Sequence, residues 1–295
     1  MRIKRDLEIN AINDTLQRCK TEYFNETKEL IDNNTLIYTE AIPEVFTQLS
    51  YDKKDMNIEV INSGTVSAGK DILKKTGKRT AILNFADAIR PGGWVLDGAP
   101  TQEENICRCS NLYPALIAEE PFKKYYYVNA NFMYPRIDNL YGKDIEVPKD
   151  VTWEKLNPLH AVYTNRLMYL KDVTFFKNDT TYELEDAYKL DVITCPAPAV
   201  DWDIDEVNYA YEVLYSRTEQ IIKSAILNKA DNIVLGAWGC GAFGQNPFMI
   251  SKVFKDVLRQ YPAFDNVIFA IRCTAEYWKD NNYQVFVKTF EEEEE

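Results

Sequence analysis

One histidine, His160, occurs in 295 residues. A Ser-His-Asp or Cys-His mechanism would rest on that single side chain, and a metal centre built from several histidines is excluded. Its neighbourhood has neither nucleophile-elbow nor zinc-ligand spacing, so His160 reads as structural. Six cysteines, Cys19, Cys107, Cys109, Cys195, Cys240 and Cys273, form no Cys-x-x-Cys pair. Cys107 and Cys109 are two positions apart, which on a helix separates them by roughly 200° and spoils shared metal ligation. The sequence lacks a long Lys/Arg tract, and its formal net charge of −12 argues against bulk attraction to nucleic acid or an anionic membrane. No apolar run approaches the roughly 20 residues a membrane span needs. The basic residues near Met1 precede no apolar leader core. The expectation is a reduced, cytoplasmic monomer that needs neither metal nor cofactor.

What the chain does have is core material: 46% apolar residues, 13% of the total aromatic. Apolar spacing predicts a helix over residues 5–32, with Leu7, Ile9, Ile12, Leu16 and Cys19 on one face. Helices are expected at 67–75, 102–122, 205–230, 247–260 and 276–289. Strands are expected at 35–39, 57–62, 78–86, 160–163, 168–176, 191–194, 232–235 and 267–271. Strands alternating with helices point to a three-layer α/β domain. Without repeats or a low-complexity linker, residues 1–295 read as one domain. Within it lie a mainly helical extension (1–55), a core (56–290) and a solvated acidic tail (291–295).

The chemistry concentrates in two places. Arg90-Pro91-Gly92-Gly93-Trp94 is a turn that exposes backbone N–H groups, and Gln102-Glu103-Glu104 follows it closely. Adjacent carboxylates most often decorate the first turn of a helix, where they complement its dipole. Side chains at i and i+1 nevertheless diverge by about 100° on a helix, so two neighbours there have different jobs. Such a pair suits a glycosidic bond, where one group donates a proton and another holds hydroxyls. The second place runs from Gly236 to Gly244 and includes Gly239, Cys240, Gly241, Ala242 and Phe243. It directly follows a strand-like run and reads as a backbone cradle for phosphate. Loops at the carboxyl ends of parallel strands can share one cleft although far apart in sequence.

The spacing of Gly92-Gly93 to Gln102-Glu103-Glu104 resembles the signature of the poly(ADP-ribose) glycohydrolases, which are macrodomain proteins. Ile82-Leu83-Asn84-Phe85-Ala86, Arg108 to Pro114, Val192 to Pro198 and Val234 to Pro247 resemble the microbial branch of that family. The resemblance implies a macrodomain-like α/β/α fold with a mixed central sheet, and hydrolysis of ribose–ribose bonds in poly(ADP-ribose). It implies ADP-ribose, its polymer and ADP-ribosylated macromolecules as partners. An ADP-ribose reader, or a hydrolase of mono-ADP-ribosyl conjugates on protein or nucleic acid, would share the same cleft. By resemblance Glu104 is the proton donor, and Glu103 holds ribose hydroxyls. Burial, the neighbouring carboxylate and a bound diphosphate would each favour a protonated Glu104.

The remaining candidates carry two readings each. Asn84 either bonds the ribose or orients the Glu pair. By resemblance Phe243 packs against ribose or adenine, and otherwise it pins the loop. Cys240 reads as a small packing residue, since no histidine lies nearby in the sequence. Tyr125 to Tyr127 and Tyr134 either stack an adenine or pack in the core. Trp94 stands where the family has its third glycine. An indole facing the cleft would narrow the channel; one turned inward would be core.

Overall fold

The computed structural model describes residues 2–43, 51–133, 166–198, 207–273 and 282–291. The expected strand at 160–163, His160, Tyr134, residues 292–295 of the acidic tail and the first part of the closing helix lie outside the described residues; Glu291, expected in the tail, ends that helix. Among the described residues, seven strands form one mixed sheet: β1 (Thr35–Tyr38), β2 (Asn57–Ile61), β3 (Thr80–Phe85), β4 (Leu167–Lys177), β5 (Leu184–Cys195), β6 (Asn232–Leu235) and β7 (Asn266–Ala270). Their spatial order is β1-β4-β5-β3-β6-β7-β2. The β1/β4 and β4/β5 pairs are antiparallel, and every pair from β5 through β3, β6 and β7 to β2 is parallel.

Period-two alternation divides the buried residues between two faces. On one face, Ala81 and Leu83 of β3, Ile233 and Leu235 of β6 and Phe269 of β7 join a core with Leu214, Ile221, Val253 and Phe286. Those partners belong to α7 (Val207–Leu227), α8 (Pro247–Gln260) and α9 (Asn282–Glu291). On the other face, Ile82, Val234 and Ile268 meet Ile12, Leu30, Val66 and Ile106. Those come from α1 (Arg2–Cys19), α2 (Phe24–Asp32), α3 (Thr65–Thr76) and α4 (Gln102–Cys109). Each fully buried aliphatic side chain contributes about 1.5–3 kcal/mol, so the two faces together dominate the stability.

Several expected boundaries shift, for local reasons. The helix expected over 5–32 is two helices, broken after Cys19. The helix expected over 102–122 ends at Cys109. There Asn111 leaves the helix to bond β4: its N–H donates to Thr174 O at 3.1 Å, and its Oδ1 accepts from Thr174 N at 2.9 Å. A short helix, α5 (Leu112–Leu116), follows, and α6 (Tyr127–Met133) succeeds a π-helical turn, Phe122–Tyr126. Strand β5 begins well before the expected Asp191. Its first half is largely exposed and carries Glu185, Asp186 and Lys189, which hid it from an apolar pattern. Tyr125 and Tyr126 are fully buried and pack in the core rather than offering a stacking face.

Candidate active site

The topology brings both glycine loops together. β3 and β6 are parallel neighbours, with Ile82 opposite Val234, so the chain leaves their carboxyl ends side by side. β7 and β2 continue the same edge. A cavity of about 610 Å³ opens there, lined by strand ends at Phe85, Ala237, Ala270 and Ser63 and by the start of α4.

The turn after β3 is tightly specified. Gly92 and Gly93 have φ of 66° and 59°, the left-handed region that favours glycine. A Cβ on Gly92 would stand 2.5 Å from the Tyr113 ring, and one on Gly93 would stand 2.4 Å from Glu104 Oε1. Gly92 therefore serves turn packing and lies off the cavity wall, whereas Gly93 leaves room for the Glu104 carboxyl. Trp94, at φ −101°, adopts an ordinary conformation, so no third glycine is required there. Its indole is not core: it is 51% exposed and lines the cavity.

Gln102, Glu103 and Glu104 form the first turn of α4 and point to three different partner sets. Gln102 ties the helix to β3, accepting from Phe85 N at 2.9 Å and donating to Leu83 O at 2.7 Å. It also donates to Thr65 Oγ1 at 3.1 Å, which links the start of α3. Glu103 is held from below: Oε2 accepts from Asp87 N at 2.7 Å, and Oε1 from Asn84 Nδ2 at 3.3 Å. Glu104 faces the turn, with Oε1 accepting from Trp94 N at 2.9 Å and Oε2 from the Thr101 hydroxyl. Both carboxyls are almost entirely buried yet line the cavity.

Burial pushes the Glu103 carboxyl well above the usual carboxylate range, and the nearby Asp87 and Glu104 carboxylates add to the rise. The Asp87 N–H and the Asn84 amide oppose it by favouring the charged form. Asn84 is fully buried and off the cavity wall, so it orients Glu103 rather than reaching a ligand. Its Oδ1 has no hydrogen-bond partner among the described residues.

The second loop is equally anchored. Trp238 is fully buried and donates Nε1–H to Cys195 O at 2.9 Å. Gln245 fixes the far side, its Nε2 donating to Pro198 O at 2.6 Å and its N–H to Gly239 O at 2.9 Å. Between these pins Gly239, Gly241, Ala242 and Phe243 line the cavity. Gly239 has φ 77°, and a Cβ there would stand 2.6 Å from Ala197 Cβ. Gly244, φ 68°, closes the turn by donating to Gly241 O at 3.0 Å, away from the wall. Cys240 is also off the wall; burial pushes its thiol up to about 12, which leaves it unreactive.

Sequence reasoning missed several wall residues. Thr101 was hidden because Thr-x-x-Glu at a helix start is a familiar capping pattern. Asp87, Asp179 and Arg272 carry no local motif. Arg272, at the end of β7, reaches Asp179 from the β4–β5 hairpin at 3.1 Å, a contact across 93 positions. Among the described residues, no three His, Cys, Asp or Glu side chains converge on a metal position. Nor is any described helix long and apolar enough to cross a membrane.

The family of microbial-type PARG catalytic domains, PARG being poly(ADP-ribose) glycohydrolase, matches residues 9–178. The crystal structure of the poly(ADP-ribose) glycohydrolase from Thermomonospora curvata is similar, with a TM-score of 0.76 at 25% identity over 98% of this chain and 100% of that one. The same enzyme bound to the inhibitor ADP-HPD gives 0.73 at 25% identity, with the same coverage. The enzyme from Deinococcus radiodurans in complex with ADP-ribose gives 0.72 at 25% identity, over 90% of this chain and 97% of that one. No curated protein matches the chain.

Proposed function

Since the chain belongs to the microbial-type poly(ADP-ribose) glycohydrolase family, whose members are glycoside hydrolases, we propose that it cleaves ribose–ribose O-glycosidic bonds in poly(ADP-ribose) with Glu104 as general acid. The observation that carries this assignment is the divergence of two adjacent buried carboxyls at one cavity wall. Glu103 is fixed by Asp87 and Asn84, and Glu104 by Trp94 and Thr101.

In this reading the diphosphate of the terminal ADP-ribose lies along Gly239 to Phe243, where glycine permits close backbone approach. Phe243 packs against the distal ribose. Glu103 holds hydroxyls of the ribose under attack. Glu104 donates its proton to the leaving oxygen as the C1″–O bond breaks, and an oxocarbenium-like ribose develops. The diphosphate beside that cation stabilises it, and water adds at C1″, its second proton returning to the carboxylate. A protonated Glu104 keeps its other oxygen as acceptor for the Trp94 N–H, so the acid is oriented throughout the cycle.

None of the six cysteines, all among the described residues, is paired in a disulfide, which supports a reducing, cytoplasmic setting. Incubation with automodified, poly(ADP-ribosyl)ated protein is the direct test. Release of free ADP-ribose is expected; binding of the polymer without release would make the protein a reader.

A further inference from the structure

The wall beside the general acid is an indole, and its placement assigns it a job. The Trp94 N–H donates to Glu104 Oε1 at 2.9 Å, which fixes the Trp94 backbone against the acid itself. The side chain stands half-exposed on the cavity. Arg90 holds it there: the guanidinium carbon lies 3.2 Å from the ring centroid, a cation–π contact that locks one face of the indole. Trp94, Ala99 and Pro100 line the same cavity as Glu104. Diphosphate and reacting ribose take the glycine loop and Glu103, so the surface next to Glu104 faces the group that departs.

In poly(ADP-ribose) the departing oxygen is the 2′-oxygen of an adenosine. The sugar that receives the Glu104 proton therefore carries an adenine on its adjacent carbon. A flat aromatic wall, rigidly mounted beside the acid, matches that leaving group and gains nothing from an acceptor lacking a base. We infer that Trp94, steadied by Arg90, is the leaving-group subsite and stacks the adenine of the departing adenosine. This rests on the glycohydrolase reading above. It reverses the steric expectation for an indole in the cleft: the side chain selects for a further ADP-ribose unit instead of blocking it.

Binding can be separated from turnover by measuring both ligands calorimetrically in the Glu104→Gln background. The probes are ADP-ribose, which lacks the leaving group, and the dimer of two ADP-ribose units joined by a ribose–ribose bond. Adding Trp94→Ala should weaken dimer binding about tenfold, in the range of base–aromatic stacking. ADP-ribose affinity should stay within about twofold, which also reports that the cleft is folded. Trp94→Phe should recover most of the dimer affinity, and Arg90→Gln should lose part of it. Equal losses for both ligands, or dimer binding unchanged or tightened by Trp94→Ala, would overturn the subsite. The hydrolase reading fails separately, if the wild-type chain binds the dimer and releases no ADP-ribose; the stacking is then judged on the affinity ratio alone.

Discussion

The Thr101 hydroxyl donates to the Glu104 carboxylate, three positions along the chain, instead of capping helix α4. In the usual Thr-x-x-Glu arrangement the hydroxyl bonds the backbone N–H three residues on, and the Glu side chain reaches back to the Thr N–H. Here both side chains have left the helix end. The Glu carboxyl spans to Trp94 N, and the Thr hydroxyl steadies it.

Replacing Thr101 should therefore affect chemistry more than folding. Thr101→Val removes the hydroxyl without removing a helix cap. Turnover should drop roughly 10-fold or more as the acid loses its orientation, while Thr101→Ser restores it. ADP-ribose affinity and melting temperature should stay close to wild type. A melting temperature lowered by many degrees, with turnover per folded molecule intact, would assign Thr101 to the scaffold instead.

Glu104→Gln keeps the shape and the acceptor for Trp94 N but removes the transferable proton. Loss of general acid help alone lowers turnover by about 10²–10⁴-fold. Calorimetric affinity for ADP-ribose should be unchanged within a few-fold. Turnover within a few-fold of wild type would remove Glu104 from the mechanism.

The two cradle glycines should respond differently to valine. A Cβ at Gly241 meets nothing within 4 Å, so Gly241→Val leaves the protein intact and obstructs only a ligand. A loss of ADP-ribose affinity of about tenfold or more is expected, roughly the 1.4 kcal/mol that one decade represents. At Gly239 the positive φ and the nearby Ala197 make valine a strained fit, destabilising by about 1–3 kcal/mol. Melting curves together with titrations separate the two effects; unchanged affinity in Gly241→Val would place the diphosphate elsewhere.

Glu103 stores a pH dependence of the opposite sign to a salt-bridged carboxylate. Its folded-state pKa is raised above the unfolded value, so the folded chain holds the proton more tightly. At pH below the unfolded value both states are protonated and the group contributes no difference. As pH rises from there through the folded pKa, the unfolded state ionises first and stability falls. Glu103→Gln should abolish that loss. Once the Asn84 amide flips, the amide introduced by this substitution can donate to Asn84 Oδ1, replacing the bond that Asn84 Nδ2 now donates to Glu103. The variant should thus melt higher than wild type near neutral pH, with the gap closing near the ordinary Glu pKa of about 4.3, and should be impaired in turnover. A gap that widens on acidification would contradict the raised pKa.

Legibility of the sequence followed the range of each interaction. The Glu pair and the two glycine loops were readable because each is a short local pattern. Helix α8 was placed correctly at 247–260, with Pro247 in its first turn and Asn246 Oδ1 accepting from Phe248 N. The break after Cys109 was not readable, since its cause is Asn111 bonding Thr174, 63 positions away. The far wall at Asp179 and Arg272 was hidden for the same reason. Trp94 stood out as a departure from the family pattern, but its direction depends on Arg90 stacking, which spacing does not encode.

The adjacency of β3 and β6 also sets a timetable. Thr80 and Asn232, bonded to each other across that pair, lie 152 positions apart. A ribosome delivers the carboxylates long before the loop proposed to hold the diphosphate. Through that interval the emerging polypeptide holds an acid with no cradle facing it, and only the slow, long-range closure of a parallel pair brings the two together. In the proposed mechanism, capacity to cut therefore arrives late in translation, and a stalled or truncated product is expected to be inert.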